Sequence, residues 1–387
     1  MISRLVRLFL SACALVAVFA VTKSANAYPQ WQFTSGTTRC NQCHFNPAGG
    51  GLLRGYGRDA AGEDLATFDG NGGFLHGAVE LPDWLAIGGD FRLALASQNV
   101  GGPNGTETAL FPMQADVYTR IAMGESFSLN VTGGIRGQAR VPDEPLPAGS
   151  YEAVNGHRAI SREHFVMWQP AAQGWYARAG RFFAPFGLRF AEHILYIRRD
   201  LGFNLLQETY NVSGGYISND WELHITAFGP DLVQKLGARE SGAAAYYERR
   251  LFEEKASVAV QAKFSTVDGT SRIIGGLVAR YFIEPARLMF LGEANIVNNR
   301  FDGPAAQNQL VGAAGFTFLP WNSLMFTALG ERLQTAIQVK DSATNAATGL
   351  LNWFPYPHVE MQLVGRMQMP TGQGNATTIL LQVHYYL

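Results

Sequence analysis

The 387-residue sequence predicts an all-β chain, a transmembrane antiparallel β-barrel of about 16 strands behind a short N-terminal unit of different character. Three observations predict it. Charged residues make up only 16% of the chain, against about 25% in ordinary soluble domains. After the first 27 residues no apolar run reaches the roughly 20 residues of a membrane helix. From about Trp84 the hydrophobicity alternates with a period of two, in segments of about ten residues.

The chain begins with an export signal. Arg4 and Arg7 supply a basic start, an apolar run extends from Leu8 to Val21, and Ala25-Asn26-Ala27 forms a small-x-small cleavage pattern. Residues 1–27 are therefore read as a signal peptide, with the mature chain starting near Tyr28. Cys13 follows a lipoprotein-like Leu10-Ser11-Ala12, but the apolar stretch before it is too short for the usual signal core. The mature chain keeps 27 of the 30 basic residues and all 31 acidic ones, and 27 minus 31 leaves a net charge of −4. That balance gives no electrostatic footprint for nucleic acid. An exported chain poor in charge and without spanning helices fits a closed barrel in the outer membrane of a Gram-negative bacterium, in contact with its lipid.

Residues 28–83 lack sustained alternation and are rich in glycine, notably Gly49-Gly50-Gly51 and Gly70 to Gly73 with Asn71 between. About 55 residues seldom fold on their own apolar core and usually need a staple. Cys40-Asn41-Gln42-Cys43-His44 supplies one. Two thiols one helical turn apart can add to the two vinyl groups of a haem, and the next residue, His44, is then placed to ligate the iron. The expectation is one covalent haem c on Cys40, Cys43 and His44. A thioredoxin-like dithiol would need a βαβ context and a structural zinc site four ligands, so these readings, with a plain disulfide, stand behind the haem. His76 is the other histidine of the unit and the first choice for a second axial ligand; His224 and His384 are the alternatives if the haem lies inside the barrel mouth.

Residues 84–387 carry the barrel. Strands are predicted near 84–97, 112–123, 126–139, 161–169, 174–182, 209–218, 220–229, 242–250, 255–265, 270–282, 286–297, 308–319, 321–332, 346–354, 357–369 and 375–387. In Phe127 to Thr132 the odd positions are apolar, and Val258, Val260, Ala262 and Phe264 alternate with Ser257, Gln261 and Lys263. Trp221, Leu223 and Ile225 alternate with Asp220, Glu222 and His224. In a barrel the apolar set faces lipid, which puts Asp116, Arg120, Asn130, Arg136, Glu222, Glu360 and Arg366 on the wall of a wet lumen. Glu293 joins that wall. The last strand keeps the phase through Ile379, Leu381, Val383, Tyr385 and Leu387, close to the C-terminal signature of outer-membrane proteins but with Leu in place of Phe or Trp. Val141 to Ala159, Asn298 to Gln307 and Thr335 to Asn345 read as long extracellular loops, the first carrying Asp143, Glu144 and Glu152.

Pro29-Gln30-Trp31, Gly36, Cys40 to His44, Pro47 and Leu53-Arg54-Gly55-Tyr56-Gly57-Arg58 together resemble the N-terminal motif of the fused monohaem cytochrome-porins of iron-oxidising bacteria. The spacing from Pro29 and Gly36 to Cys40 is one residue longer than that pattern, and Tyr56 stands where Phe is usual, so the resemblance is to a divergent member. It implies a cytochrome fused to an outer-membrane barrel that takes electrons from an extracellular donor such as Fe(II) and passes them to a periplasmic c-type cytochrome or other electron carrier. Gly180 to Leu188, Gly-Arg-Phe-Phe-Ala-Pro-Phe-Gly-Leu, is similar to a stretch of phosphate-selective-type porins. The alternative is a diffusion porin with an accessory haem plug. A haem enzyme such as a peroxidase would need a distal acid-base residue, and none is recognisable beside the motif.

Overall fold

A computed structural model describes residues 39–99, 105–136, 159–204, 207–231, 240–267, 269–301 and 306–387. The signal segment, Pro29 to Gly36, Arg136's side chain and the acidic loop positions Asp143, Glu144 and Glu152 lie outside the described residues. The strands are β1 (Leu85–Asn99), β2 (Thr106–Met123), β3 (Phe127–Arg136), β4 (Ala159–Trp168), β5 (Gly174–Phe182), β6 (Thr209–Ile217), β7 (Trp221–Gly229) and β8 (Ser241–Leu251). They continue as β9 (Ala256–Val267), β10 (Thr270–Ile283), β11 (Leu288–Arg300), β12 (Gln307–Trp321), β13 (Leu324–Gln334), β14 (Ala343–Trp353), β15 (Val359–Pro370) and β16 (Ala376–Tyr386). Each pairs antiparallel with its neighbour in sequence, and β1 pairs with β16 from Asp90↔Tyr386 to Asn99↔Thr377, which closes a 16-strand barrel. Closure leaves no strand edge unpaired, as a hydrocarbon surround demands.

The two ends of the barrel differ. The turns after β2, β6, β8, β10 and β12 span at most four residues, and both β1 and β16 have a terminus at this end. Short turns mark the periplasmic side of an outer-membrane barrel. The strand ends that border 137–158, 301–306 and 335–342 all lie at the opposite end, where the extracellular loops were expected.

Alternation sorts the side chains as the pattern predicts. On β9 Val258, Val260 and Phe264 are exposed to the outside, while Ser257, Gln261 and Lys263 are buried within. On β7 Ile225 points out and Glu222, His224 and Thr226 point in. Beside the short turns Trp175 meets Tyr216 edge-on and Tyr216 stacks on Trp221, with ring centroids 5.1 and 5.0 Å apart, and Tyr247, Tyr281, Trp321 and Trp353 are exposed at the same end. This is the aromatic girdle that lies at a membrane interface.

The lumen departs from the expected wet wall. Asp116, Asn130, Glu222, Glu293, Glu360 and Arg366 do face inward, but they are buried, and Arg120 is half-buried over the Phe45 ring. Two segments fill the space. Residues 183–204, which follow β5, fold inward instead of projecting as a loop, and Phe183, Phe186, Leu188, Phe190, Leu195 and Tyr196 are buried there. They pack on inward-facing Ile274, Val297, Val311, Met325, Leu329 and Leu350, so one sector of the wall is apolar on both faces. Glu293, instead of meeting solvent, accepts hydrogen bonds from Leu188 N at 2.6 Å and Gln261 Nε2 at 2.9 Å, fixing the start of that segment. Within it, a single turn of helix at Tyr196–Arg199 donates its Tyr196 N–H to Glu331 Oε2 at 2.7 Å.

The second filler is the N-terminal unit. Leu53, Ala61 and Leu65 lie in the same apolar core as the inward segment. The unit is tied to the short-turn end: Arg54 reaches Gln169, Thr67 bonds Phe354 O, Gly72 O accepts from His358, and Arg39 pairs with Glu254. Residues 39–83 thus sit in the periplasmic mouth of the barrel.

Candidate cofactor site in the barrel lumen

Cys40–Cys43 forms one turn of helix, α1, closed by the His44 N–H to Cys40 O bond at 3.0 Å. That spacing places both thiols on one side. The chain then loops through Gly49-Gly50-Gly51, all with positive φ, and returns so that Phe45 N bonds Leu52 O and Arg54 N bonds Cys43 O at 2.8 Å. A second helix, α2 (Gly55–Gly62), crosses directly over α1. A Cβ at Gly57 would lie 2.3 Å from Cys43 O, so only glycine permits the crossing. At Gly49 a Cβ would meet Cys40 Sγ at 3.2 Å and the His44 ring at 3.8 Å, which places the bare backbone between the thiol and the imidazole. Cys40 and Cys43 are not joined in a disulfide.

Cys40 and Cys43 both line a cavity in the lumen that is partly continuous with solvent. The N-terminal unit supplies one wall with Arg39, Ala48 and the three glycines; the inward segment supplies another with Phe183, Phe186, Arg189, His193 and Arg198. Barrel strands complete it with Asp90, Arg92, Met113, Glu163, Glu222, His224, Glu248 and Arg280. Met113 reaches the cavity because β2 carries an extra residue there: Arg92 pairs with Gln114 and Leu93 with Pro112, a β-bulge beside a proline.

The charges divide into committed and uncommitted groups. Arg280 pairs with Glu248, and Arg250 with Glu222. Arg189 donates to Ala48 O at 2.9 Å and Gly49 O at 3.0 Å, bracing the glycine loop. Arg198 lies over the Phe183 ring, its Nε without an acceptor among the described residues, and burial pushes its pKa down to about 10. Burial pushes the Cys40 thiol up to about 11, with the Glu222 carboxylate adding to the effect.

These residues suit a haem. Two cysteines at the required spacing line the cavity, aromatic rings line one side, and Arg198 offers a partner for a carboxylate such as a propionate.

The other sequence candidates land apart. His76 lies on a 3₁₀ turn at Phe74–Gly77 with φ of 57°, exposed at the rim. Its ring contacts His358 and its Nε2 lies 3.2 Å from Tyr385 Oη, so it is not brought to the cavity. His384 is held between Glu360, 2.7 Å from its Nδ1, and Asp90. His224 and His44 are both buried, and His224 lines the cavity. Sequence reasoning missed His193 and Met113: the first sits in an aperiodic stretch and the second on a bulge that breaks the strand phase.

No protein-family model and no curated protein matches the chain. Solved barrels do. The fold superposes on OprB of Pseudomonas putida with a TM-score of 0.61 at 11% identity, over 79% of this chain and 94% of that one. OmpT of Vibrio cholerae gives 0.58 at 9%, over 80% and 100%. The anion-selective porin of Comamonas acidovorans gives 0.56 at 10%, over 78% and 99%. The chain is an outer-membrane β-barrel. At these identities the likeness carries the porin fold alone. In this chain a cysteine-bearing unit is seated in the mouth of that fold.

Proposed function

We propose that this barrel transfers electrons at the outer membrane through one haem c bound by Cys40, Cys43 and His44. It takes electrons from an extracellular donor such as Fe(II) and passes them to a periplasmic c-type cytochrome. One observation carries the reading: both cysteines of the motif line a cavity that the barrel wall itself completes. A cytochrome merely tethered to a porin would need no such shared wall.

When bound, the haem supplies one-electron exchange at its iron. The chain's residues do the rest. Cys40 and Cys43 would hold the group by thioethers and His44 would ligate its iron. Phe183, Phe186 and Tyr246 keep water from one side of the cavity. Arg39 lines both the cavity and a shallow depression at the short-turn end formed by Asn219, Asp220 and residues 249–254, which puts the thiols close to the periplasmic rim. A hydrocarbon layer of about 30 Å is too thick for one haem to bridge alone. The donor must therefore enter from the loop end, and the periplasmic carrier docks at the short-turn end.

The second reading is a diffusion porin with a haem plug, favoured by fold neighbours that are porins. Proteoliposomes separate the two. With cytochrome c trapped inside, external Fe(II) is expected to reduce it while sucrose stays excluded; free sucrose passage with a haem inert to Fe(II) would contradict the proposal.

A further inference from the structure

We infer that His358 is a pH-sensitive latch between the N-terminal unit and the rim of the barrel: neutral, it holds the segment around Gly72 against the wall, and protonated, it lets that segment go. The inference stands apart from the haem and holds for either reading of the function. His358 lies in the turn between β14 and β15, at the short-turn end, with φ of 66°. A residue with a Cβ enters that left-handed region only at a cost, yet the ring is wholly buried there. It packs edge-on against Tyr386, with centroids 5.8 Å apart, and bare backbone of the N-terminal unit approaches it from the other side. A Cβ at Gly62 would lie 3.6 Å from His358 Cε1, and one at Gly70 would lie 3.0 Å from the neighbouring Pro357 ring.

The partners fix where the proton sits. Nε2 lies 2.9 Å from Gly72 O, and a carbonyl only accepts, so Nε2 carries the hydrogen. Nδ1 is buried without a hydrogen-bond partner among the described residues. Protonation would make it a second N–H with no acceptor, a costly state for a buried charged donor. The surrounding charges add to that cost. His76 of the N-terminal unit meets the ring edge-on at 5.3 Å, and Arg58 of α2 brings a fixed positive charge. The Tyr386 hydroxyl is bound to Ala61 O. Carboxylates on the same elements are turned elsewhere: Glu63 accepts from Gly72 N at 2.8 Å, Glu360 is bound by Asn352 and His384, and Asp59, Asp64 and Asp69 are exposed. Burial holds the His358 pKa below the ordinary 6.5, aided by His76 and Arg58 and opposed by the Gly72 and Gly73 backbone. A folded value below the released one means that the contact is fully present above pH 6.5 and is lost as the pH falls below it.

The test is hydrogen exchange, read by mass spectrometry on peptides spanning residues 66–84 of the full-length protein purified from outer membranes. Rates are corrected for the intrinsic effect of pH, and barrel folding is followed by heat-modifiable gel mobility. Between pH 8 and pH 5.5 protection in the wild type is expected to fall several-fold, with a ceiling of about tenfold for a group that titrates at 6.5 once released, while peptides from β9 and β10 keep theirs. His358→Gln, whose amide can donate to Gly72 O but does not titrate, is expected to show no such fall, and His76→Gln to show a smaller one. The inference is overturned if wild-type protection is equal at the two pH values, if His358→Gln loses protection as the wild type does, or if His76→Gln abolishes the fall. Should His358→Gln fail to fold, the wild-type profile decides: protection that is flat down to pH 5.5, or already lost above pH 7.5, overturns the latch.

Discussion

Arg178 of β5 donates from Nη1 to Asn46 Oδ1 at 2.7 Å, joining the barrel wall to the loop that follows the cysteine motif. Both residues are buried, and the Arg178 guanidinium lies 3.9 Å over the Phe182 ring. Its other two nitrogens have no hydrogen-bond acceptor among the described residues, so Asn46 carries the one bond that satisfies it. Asn46→Ala is expected to cost about 1.5–3 kcal/mol, the range for a bond to a buried charged donor. Urea titration of the folded barrel measures it, and Asn46→Asp, which keeps the acceptor, is expected to restore most of the loss.

The crossing of α2 over α1 gives a sharper contrast. Gly57→Ala would force a methyl group into Cys43 O, whereas a Cβ at Gly55 meets nothing within 4 Å. Overpacking of this kind costs about 1–3 kcal/mol or more. Gly57→Ala is expected to reduce the yield of covalently loaded protein several-fold, and Gly55→Ala to leave it unchanged, as read by haem staining against total barrel.

Burial governs the reactivity of Cys40 in chain that has folded without haem. With its pKa raised from 9.0 to about 11, the thiolate fraction at pH 8 falls from about one in ten to about one in a thousand. The thiolate is the nucleophile. Alkylation of Cys40 is expected to run about 100-fold slower than in the urea-unfolded chain, and to rise tenfold per pH unit up to about pH 11. The neutral thiol favours the folded state below pH 9, and that contribution is lost as the pH rises toward 11. A rate at pH 8 equal to that of the unfolded chain would contradict the burial.

The inward segment hangs on Glu331. Its carboxylate takes the Tyr196 N–H at 2.7 Å, Thr348 Oγ1 at 2.9 Å and Arg366 Nε at 3.1 Å, with all these groups buried. Removing one member of a buried ion pair costs about 3–5 kcal/mol because the other charge is stranded. Glu331→Ala is expected to release residues 195–201 from the wall and to raise single-channel conductance in planar bilayers; Glu331→Gln, which keeps an acceptor, is expected to raise it less.

The barrel was legible because lipid outside and polar groups inside impose a period of two, as Val258 to Phe264 and Trp221 to Thr226 display. All sixteen strands were placed this way, most within two or three residues of their ends. The reading weakened where the inward face is also apolar. Leu310-Val311 and Leu350-Leu351 have hydrophobic neighbours on both sides of the strand, so no phase reveals what Val311 and Leu350 pack against. The inward course of 183–204 was hidden for a related reason: its phenylalanines and leucines follow no strand period, and a segment bound on several sides by the lumen has none to follow. β2 was begun at 112 instead of Thr106 because Pro112 reads as a break, while the bulge accommodates it. The cysteine motif was legible as chemistry, but not its cavity. That takes in Asp90, Glu163, His224 and Arg280, which only closure of the barrel brings together.

The most direct measurement is the intact mass of the protein isolated from outer membranes, beside the same measurement on Cys40→Ala and Cys43→Ala. The wild type is expected to carry the mass of one haem, surviving acid extraction, on a chain that starts near Tyr28. Each variant is expected to lose at least one of the two thioethers. An unmodified wild-type mass, with Cys40 and Cys43 as thiols or as a disulfide, would contradict the account.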